Sequence, residues 1–218
     1  TNFRKKYFKT FIFFKKQNYS FDWKIVLLLN GTHDQSESIA FNLKNKNKEI
    51  EIFSLPEKGK GNALKKYFNY SSASFLIYMD VDLAVSEDDY DLIIGSRLLK
   101  SSQTNRSLLR EISSRTYIYL SKLIIKHPFS DLQCGFKGIK KEAWKQISPL
   151  ILDKYWFFDT ELLIFISRFN FKFKEIPVSW SENRYEKRKT KVKVIRDTWK
   201  FIKNLIRLRK RLLKEDIF

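Results

Sequence analysis

Cysteine is almost absent. Cys134 stands alone among 218 residues, so no internal disulfide can form and the chain suits a reducing compartment. Histidine is as scarce: His33 and His127 lie far apart, which argues against a histidine-rich metal site. No stretch reaches the ~18 to 20 continuous apolar residues of a membrane span, and none reads as a signal peptide. Acid is short too. Asp and Glu number 24 against 43 Lys and Arg, a formal net charge of +19. That balance implies an anionic partner: nucleic acid, a lipid surface or phosphorylated substrates.

What is abundant excludes a disordered chain, since 43% of residues are hydrophobic and 16% aromatic. The length fits one domain, or one domain with an appendage. Residues 2–18 read as an amphipathic helix and 22–29 as a buried strand that ends at the turn pair Asn30-Gly31. A helix over 36–46 and a strand over 50–54 follow. Lys58-Gly-Lys-Gly61 then opens a helix over 62–71. Strands are expected at 74–79, 90–94 and 172–178, and helices at 108–126, 141–147, 159–169 and 190–214. Alternating strands and helices in the first half predict a parallel, doubly wound sheet.

One length conflicts with that scheme. Eight residues separate Asp82 from Asp91, whereas a crossover between parallel strands needs about a dozen or more. Either the two strands are not parallel neighbours, or a segment is missing near Ser86–Asp89. The chain also opens on a helix with no strand before it, so a first strand is expected to be missing as well.

The strand Ser74–Met79 runs straight into Asp80-Val-Asp82. Open α/β sheets keep their ligands at the carboxyl ends of strands. Two carboxylates there can converge on one hard cation, Mg2+ or Mn2+, which also holds a nucleotide diphosphate. A solvated turn is the bland alternative. Lys60, between two glycines at a helix start, is placed to reach a phosphate, because glycines admit close backbone approach and helix starts favour anions.

In order, Asn30-Gly-Thr-His-Asp34, Gly59-Lys-Gly-Asn-Ala63, Asp80-Val-Asp82, Gly95-Ser-Arg97, Asp131-Leu-Gln-Cys-Gly-Phe-Lys137, Trp156-Phe-Phe-Asp-Thr-Glu-Leu-Leu163 and Glu175-Ile-Pro-Val-Ser-Trp180 resemble the family 2 glycosyltransferases of the GT-A fold. The subgroup most resembled moves a sugar from a nucleotide diphosphate to a polyprenyl or dolichyl phosphate. The resemblance covers about residues 20 to 195. It implies a Rossmann-like, mostly parallel sheet flanked by helices; residues 1–189 are then the catalytic domain, and 190–218, by their own helical spacing, a basic amphipathic C-terminal helix.

The resemblance also implies roles. Asp82 would be the catalytic metal ligand and Asp80 a ribose or second metal contact. Asn30, Lys60 and Gln133 would join them around a UDP- or GDP-linked sugar. Arg97, Arg110, Ser114 and Lys137 would surround the acceptor phosphate; Arg110 and Ser114, four apart, share a helix face. Asp159 stands where relatives acting on hydroxyl acceptors keep a general base, and Glu161 follows it. A phosphate monoester, already anionic at neutral pH, needs no such base, so Asp159 would orient an arginine or the donor sugar. Its structural alternative is the N-cap of a helix beginning at Thr160. The chain departs from the family at Leu29-Asn30-Gly31, where Asp-Asp-Gly is usual, and it lacks the family's opening Pro-x-Tyr-Asn-Glu strand.

The tail places Trp199, Ile202, Leu205, Ile206, Leu208, Leu212 and Leu213 at helical spacing among basic residues such as Lys203 and Arg207. Such a basic amphipathic helix suits a membrane interface; packing on the catalytic domain is the alternative. The expectation is a peripheral enzyme on the cytoplasmic face of a membrane. Transfer to a saccharide or other hydroxyl acceptor is the second reading, and a non-catalytic relative the third. No nucleic-acid-binding motif is present, so nucleic acid is not the expected partner.

Overall fold

The computed structural model describes residues 19–32, 35–79, 90–181 and 194–214, together with Phe11, Phe14 and Lys15. Asp80, Asp82 and the basic run 184–189 lie outside the described residues. Contacts divide the chain into two compact units. One runs to Ser72 and includes Asp153–Trp156; the other comprises Ala73–Leu152 and Phe157–Phe218.

In the first unit, β1 (Ile25–Asn30) and β2 (Ile50–Leu55) pair in parallel, from Ile25 opposite Ile50 to Asn30 opposite Leu55. The crossover that parallel pairing requires is α1 (Ser36–Lys46). It buries Ala40 and Leu43, three apart, with Phe11, Leu27, Leu29 and Ile50 in one apolar cluster. α2 (Lys60–Tyr70) turns Gly61, Ala63, Leu64 and Phe68 inward.

The second unit holds a four-stranded sheet in the order β3 (Phe75–Met79), β6 (Phe136–Lys140), β4 (Leu92–Ser96), β7 (Phe173–Pro177). β6 is antiparallel to both neighbours, while β4 and β7 are parallel. β3 and β4 are therefore not adjacent: β6 lies between them, and the short 83–90 connection bridges no parallel neighbours. The mostly parallel sheet implied by the resemblance is thus found with β6 as its antiparallel strand, the other pairings, β1 with β2 and β4 with β7, being parallel. Strand β6 was not foreseen, because Phe-Lys-Gly-Ile-Lys carries two lysines and a glycine, all weak strand formers. Its glycine is required by packing, since a Cβ at Gly138 would sit 2.6 Å from the Phe75 ring. A second small sheet pairs β5 (Gln103–Asn105) with β8 (Ser179–Ser181).

Four α-helices complete this unit among the described residues: α3 (Leu108–Ile124), α4 (Lys141–Ile147), α5 (Phe158–Arg168) and α6 (Val194–Lys214). α5 is buried on every side from Phe158 to Ile166, the mark of a core helix. α6 packs along α3, with Phe201 5.4 Å from the Tyr117 ring and Leu205, Leu208 and Leu212 buried. No helix among the described residues is long and apolar enough to cross a membrane.

After α3, the His127 ring stacks on Phe129; its Nε2 meets Ser121 Oγ at 2.8 Å, and its Nδ1 has no partner. Burial, then Lys122 and Arg168, lowers its pKa to about 4. The fold keeps the imidazole neutral, whereas the unfolded chain takes up a proton near about pH 6.5. The neutral ring's contribution is intact above that pH and is lost as pH falls toward about 4. His127→Gln is expected to shrink the drop in melting temperature between about pH 7 and about pH 4.5; an unchanged drop would contradict this assignment.

Candidate active site

In the first unit, Asn30 ends β1 while Leu29 faces the core at 4% exposure. Leu29 is thus a packing residue, and Asn30 is the polar group at the strand's carboxyl end. Its Oδ1 accepts a hydrogen bond from the Gly59 amide at 3.3 Å, which ties β1 to the Lys58-Gly-Lys-Gly61 loop. Two glycines make that loop possible. Gly31 has φ +57°, and a Cβ there would lie 2.5 Å from Lys58 Cγ. Gly59 has φ +151°, and a Cβ there would lie 2.7 Å from the Lys154 carbonyl oxygen. Lys60 begins α2 and holds its ammonium 5.5 Å from the Trp156 ring centroid. Asn30 therefore lies beside the residue that precedes Lys60 at the start of α2.

In the second unit, β4 ends at Ser96, which is wholly buried and bonded to Ser130 Oγ at 2.6 Å. Glu175 of β7 receives the Ser130 amide at 2.9 Å and so anchors the segment that delivers Asp131. The Asp131 carboxylate accepts from Arg97 Nε at 2.7 Å, Arg97 Nη2 at 2.9 Å, the Arg97 amide at 3.1 Å and the Gln133 amide at 2.9 Å. Burial alone would raise this acid; the Arg97 guanidinium outweighs it and brings the pKa down to about 2. Burial likewise opposes the Arg97 charge, and Asp131 more than restores it.

Arg97 Cζ lies 6.0 Å from the Trp180 ring centroid, and Arg106 Cζ lies 5.7 Å from the same ring. Arg106 was not singled out from sequence. Its side chain is 6% exposed, and it donates to Ser114 Oγ, to the Arg110 carbonyl at 3.3 Å and to Glu111 at 3.2 Å. Its Nε, buried, has no partner. Desolvation and the nearby Arg97 charge weaken its hold on the proton. Two guanidiniums thus lie against one indole, each held by a carboxylate, Arg97 by Asp131 and Arg106 by Glu111. Ser114 is engaged by Arg106 within the same cluster. No spacing rule points from Arg106, in the loop before α3, to Trp180 at β8. Only the fold brings them together.

Asp159 lies inside the first turn of α5, whose N-cap is Phe157, so the capping alternative is corrected. Its Oδ1 accepts from Tyr78 and, at 2.8 Å, from Lys137 Nζ. Lys137 also donates to the Cys134 carbonyl. With lysine and acid 0% and 1% exposed, this is a buried ion pair. Lys137, set beside the acceptor phosphate by resemblance, is instead enclosed against Asp159. Gln133 Nε2 donates to Thr160 Oγ1 at 2.7 Å, and Tyr117 bonds the same hydroxyl at 3.0 Å. Glu161 accepts from the Leu152 amide at 2.8 Å and from Arg211 of α6 at 3.0 Å. Cys134 packs with Ile93, Phe136 and Ile176, and burial raises its thiol pKa.

Among the described residues no cluster of His, Cys, Asp or Glu is suited to a metal; the Asp80 and Asp82 pair follows β3 outside them.

The architecture is that of GT-A glycosyltransferases. Glucosyl-3-phosphoglycerate synthase from Mycobacterium tuberculosis, solved with Mn2+, UDP and glucosyl-3-phosphoglycerate, matches with a TM-score of 0.60 at 13% identity, over 85% of this chain and 68% of that one. The family model for glycosyl transferase family 2 matches residues 6–148, more than half of the sequence, and the chain belongs to that family. Among curated relatives, glycosyltransferase AglD of Haloferax volcanii is 30% identical over 80% of this chain and 30% of its own length. Dolichyl-phosphate beta-glucosyltransferase ALG5C of Trichomonas vaginalis is 27% identical over 76% of this chain and 55% of its own. The chain thus spans about half the length of the latter relative, and less of AglD.

Removing one partner of the Asp131–Arg97 pair leaves a buried charge uncompensated. Asp131→Asn is expected to cost about 3–5 kcal/mol, read by urea unfolding, and a loss below about 1 kcal/mol would show the pair to be ornamental.

Proposed function

We propose that the protein transfers a hexose, with inversion, from a UDP- or GDP-linked sugar to a polyprenyl phosphate at a membrane surface. An anionic oxygen of the acceptor forms a bond to the anomeric carbon as the bond to the diphosphate breaks. The nucleoside diphosphate leaves with the electron pair. The observation that carries this reading is the enclosure of Asp159. A general base must reach the proton it removes, yet Asp159 is 1% exposed and bonded to Lys137 and Tyr78. A hydroxyl acceptor needs such a base; a phosphate does not. The names of the dolichyl-phosphate relatives point the same way.

In this reading Arg97, Arg106, Arg110 and Ser114 receive the acceptor phosphate, and Asp131 holds Arg97 in place. Lys137 and Tyr78 position Asp159, while Gln133, fixed by Thr160, faces the donor sugar. Asn30 shapes the loop that offers Lys60 to the diphosphate. Asp80 and Asp82 would hold Mg2+ or Mn2+, which supplies positive charge to the leaving diphosphate.

The test is a screen of UDP- and GDP-sugars with polyprenyl phosphate and Mg2+ or Mn2+, scored for product extracted into organic solvent. Asp82→Asn is expected to lower turnover on the order of 100-fold or more with the fold intact. Arg97→Ala and Arg110→Ala should raise the KM for polyprenyl phosphate far more than that for the donor. Full activity in Asp82→Asn, or in excess chelator, would remove the metal from the mechanism. Product formed only on water-soluble saccharides would give the case to a hydroxyl acceptor.

A further inference from the structure

The last helix does not offer its whole apolar stripe to a partner. Leu205, Leu208 and Leu212 are buried within the protein, so those side chains hold α6 in place. A second set remains outside. Trp199, Ile206 and Leu213 are 70%, 45% and 56% exposed, and they recur every seven residues. At roughly 100° per residue they form one line along the helix, on a flank distinct from the buried leucines. Lys203 and Lys210 fall between them, both exposed.

α3, against which α6 packs, shows the same pattern. Leu108, Ile112, Tyr119 and Leu123 are exposed by more than half, and their spacings of four, seven and four residues keep them on one helix face. That face is opposite Tyr117, which is buried against Thr160 of α5, the side on which Phe201 of α6 also meets Phe157. Arg115, Lys122 and Lys126 are exposed on or just beyond α3, as are Lys200, Arg207, Arg209 and Lys214 on α6. Within 108–126 and 199–214 the one carboxylate is Glu111, which is bonded to Arg106 and Arg115. Two adjacent helices therefore each expose an apolar line bordered by cations. Contiguous exposed apolar surface marks an interaction site.

We infer that α3 and α6 together form one face that docks on an anionic lipid bilayer. Charge selects this occupant. A second copy of the chain would bring two cationic faces together, which is repulsive. An anionic lipid surface neutralises the lysines while Trp199 and Tyr119 settle at the level of the headgroups. The inference rests on the lipid-linked acceptor of the reading above and adds α3 to it. α3 carries Arg110 and Ser114 near its start, so the same helix would meet both the lipid surface and the acceptor phosphate.

The test measures co-sedimentation of the 218-residue chain with vesicles of phosphatidylglycerol and phosphatidylcholine, without donor or acceptor. Ile206→Glu with Leu213→Glu, and separately Tyr119→Glu with Leu123→Glu, are each expected to lower partitioning about tenfold or more. Melting temperatures should stay unchanged, because all four side chains are exposed. Binding should weaken with added salt and vanish on phosphatidylcholine alone. Unaltered binding in the α3 pair would overturn the two-helix face, and so would a stable dimer in solution that these substitutions dissolve. If the vesicles bind as expected but polyprenyl phosphate accepts no sugar, the docking face stands and the catalytic reading falls. If lipid product forms without vesicle binding, the reverse holds.

Discussion

A single buried carboxylate organises the second unit. Asp131 bonds the side chain and amide of Arg97 at the end of β4 and the amide of Gln133. It can do so because Glu175 of β7 holds the neighbouring Ser130. Three segments distant in sequence are thereby fixed to one another at the carboxyl ends of β4 and β7. A charge this deep is tolerable only when its partner is rigidly placed, and the bidentate fork of an arginine supplies that rigidity. Arg97 then presents its remaining surface to Trp180, where Arg106 joins it.

The second buried charge pair serves another end. Lys137 lies on β6 and Asp159 on α5, so their contact joins sheet to core helix. Tyr78 of β3 completes the arrangement. α5 carries three polar residues in its first turn, each satisfied: Asp159 by Lys137 and Tyr78, Thr160 by Gln133 and Tyr117, Glu161 by Leu152 and Arg211. Buried polar groups left without partners would be costly. The Arg211 contact also fastens α6 to α5, and Arg211 reaches the Leu150 carbonyl at 3.0 Å. The C-terminal helix is consequently part of the framework around α5. Its removal would disturb the core as well as any membrane contact, so surface substitutions are the sharper probe of docking.

Local pattern determined much of this protein. Apolar runs closed by turn residues gave β1, β2, β3, β4 and β7 to within a few residues. Helical spacing gave α1 to α4 and α6, because burial of one face leaves a periodic trace; α5, read as a helix from 159 to 169, is buried on every side. The ordered motifs gave the family, and with it the candidates Asn30, Lys60, Arg97, Gln133 and Asp159. Tertiary structure decided the rest. Strand β6 has no periodic signature, since its lysine is paired and its glycine is demanded by the Phe75 ring. Its antiparallel insertion between β3 and β4 is a property of the sheet as a whole. Which face of α6 is spent on the core depends on where α3 and α5 lie. The meeting of Arg106, Arg97 and Trp180 is likewise set by the packing of three separate segments. Spacing along the chain records what a residue does to its own helix or strand; which distant charge it meets is decided when those elements pack.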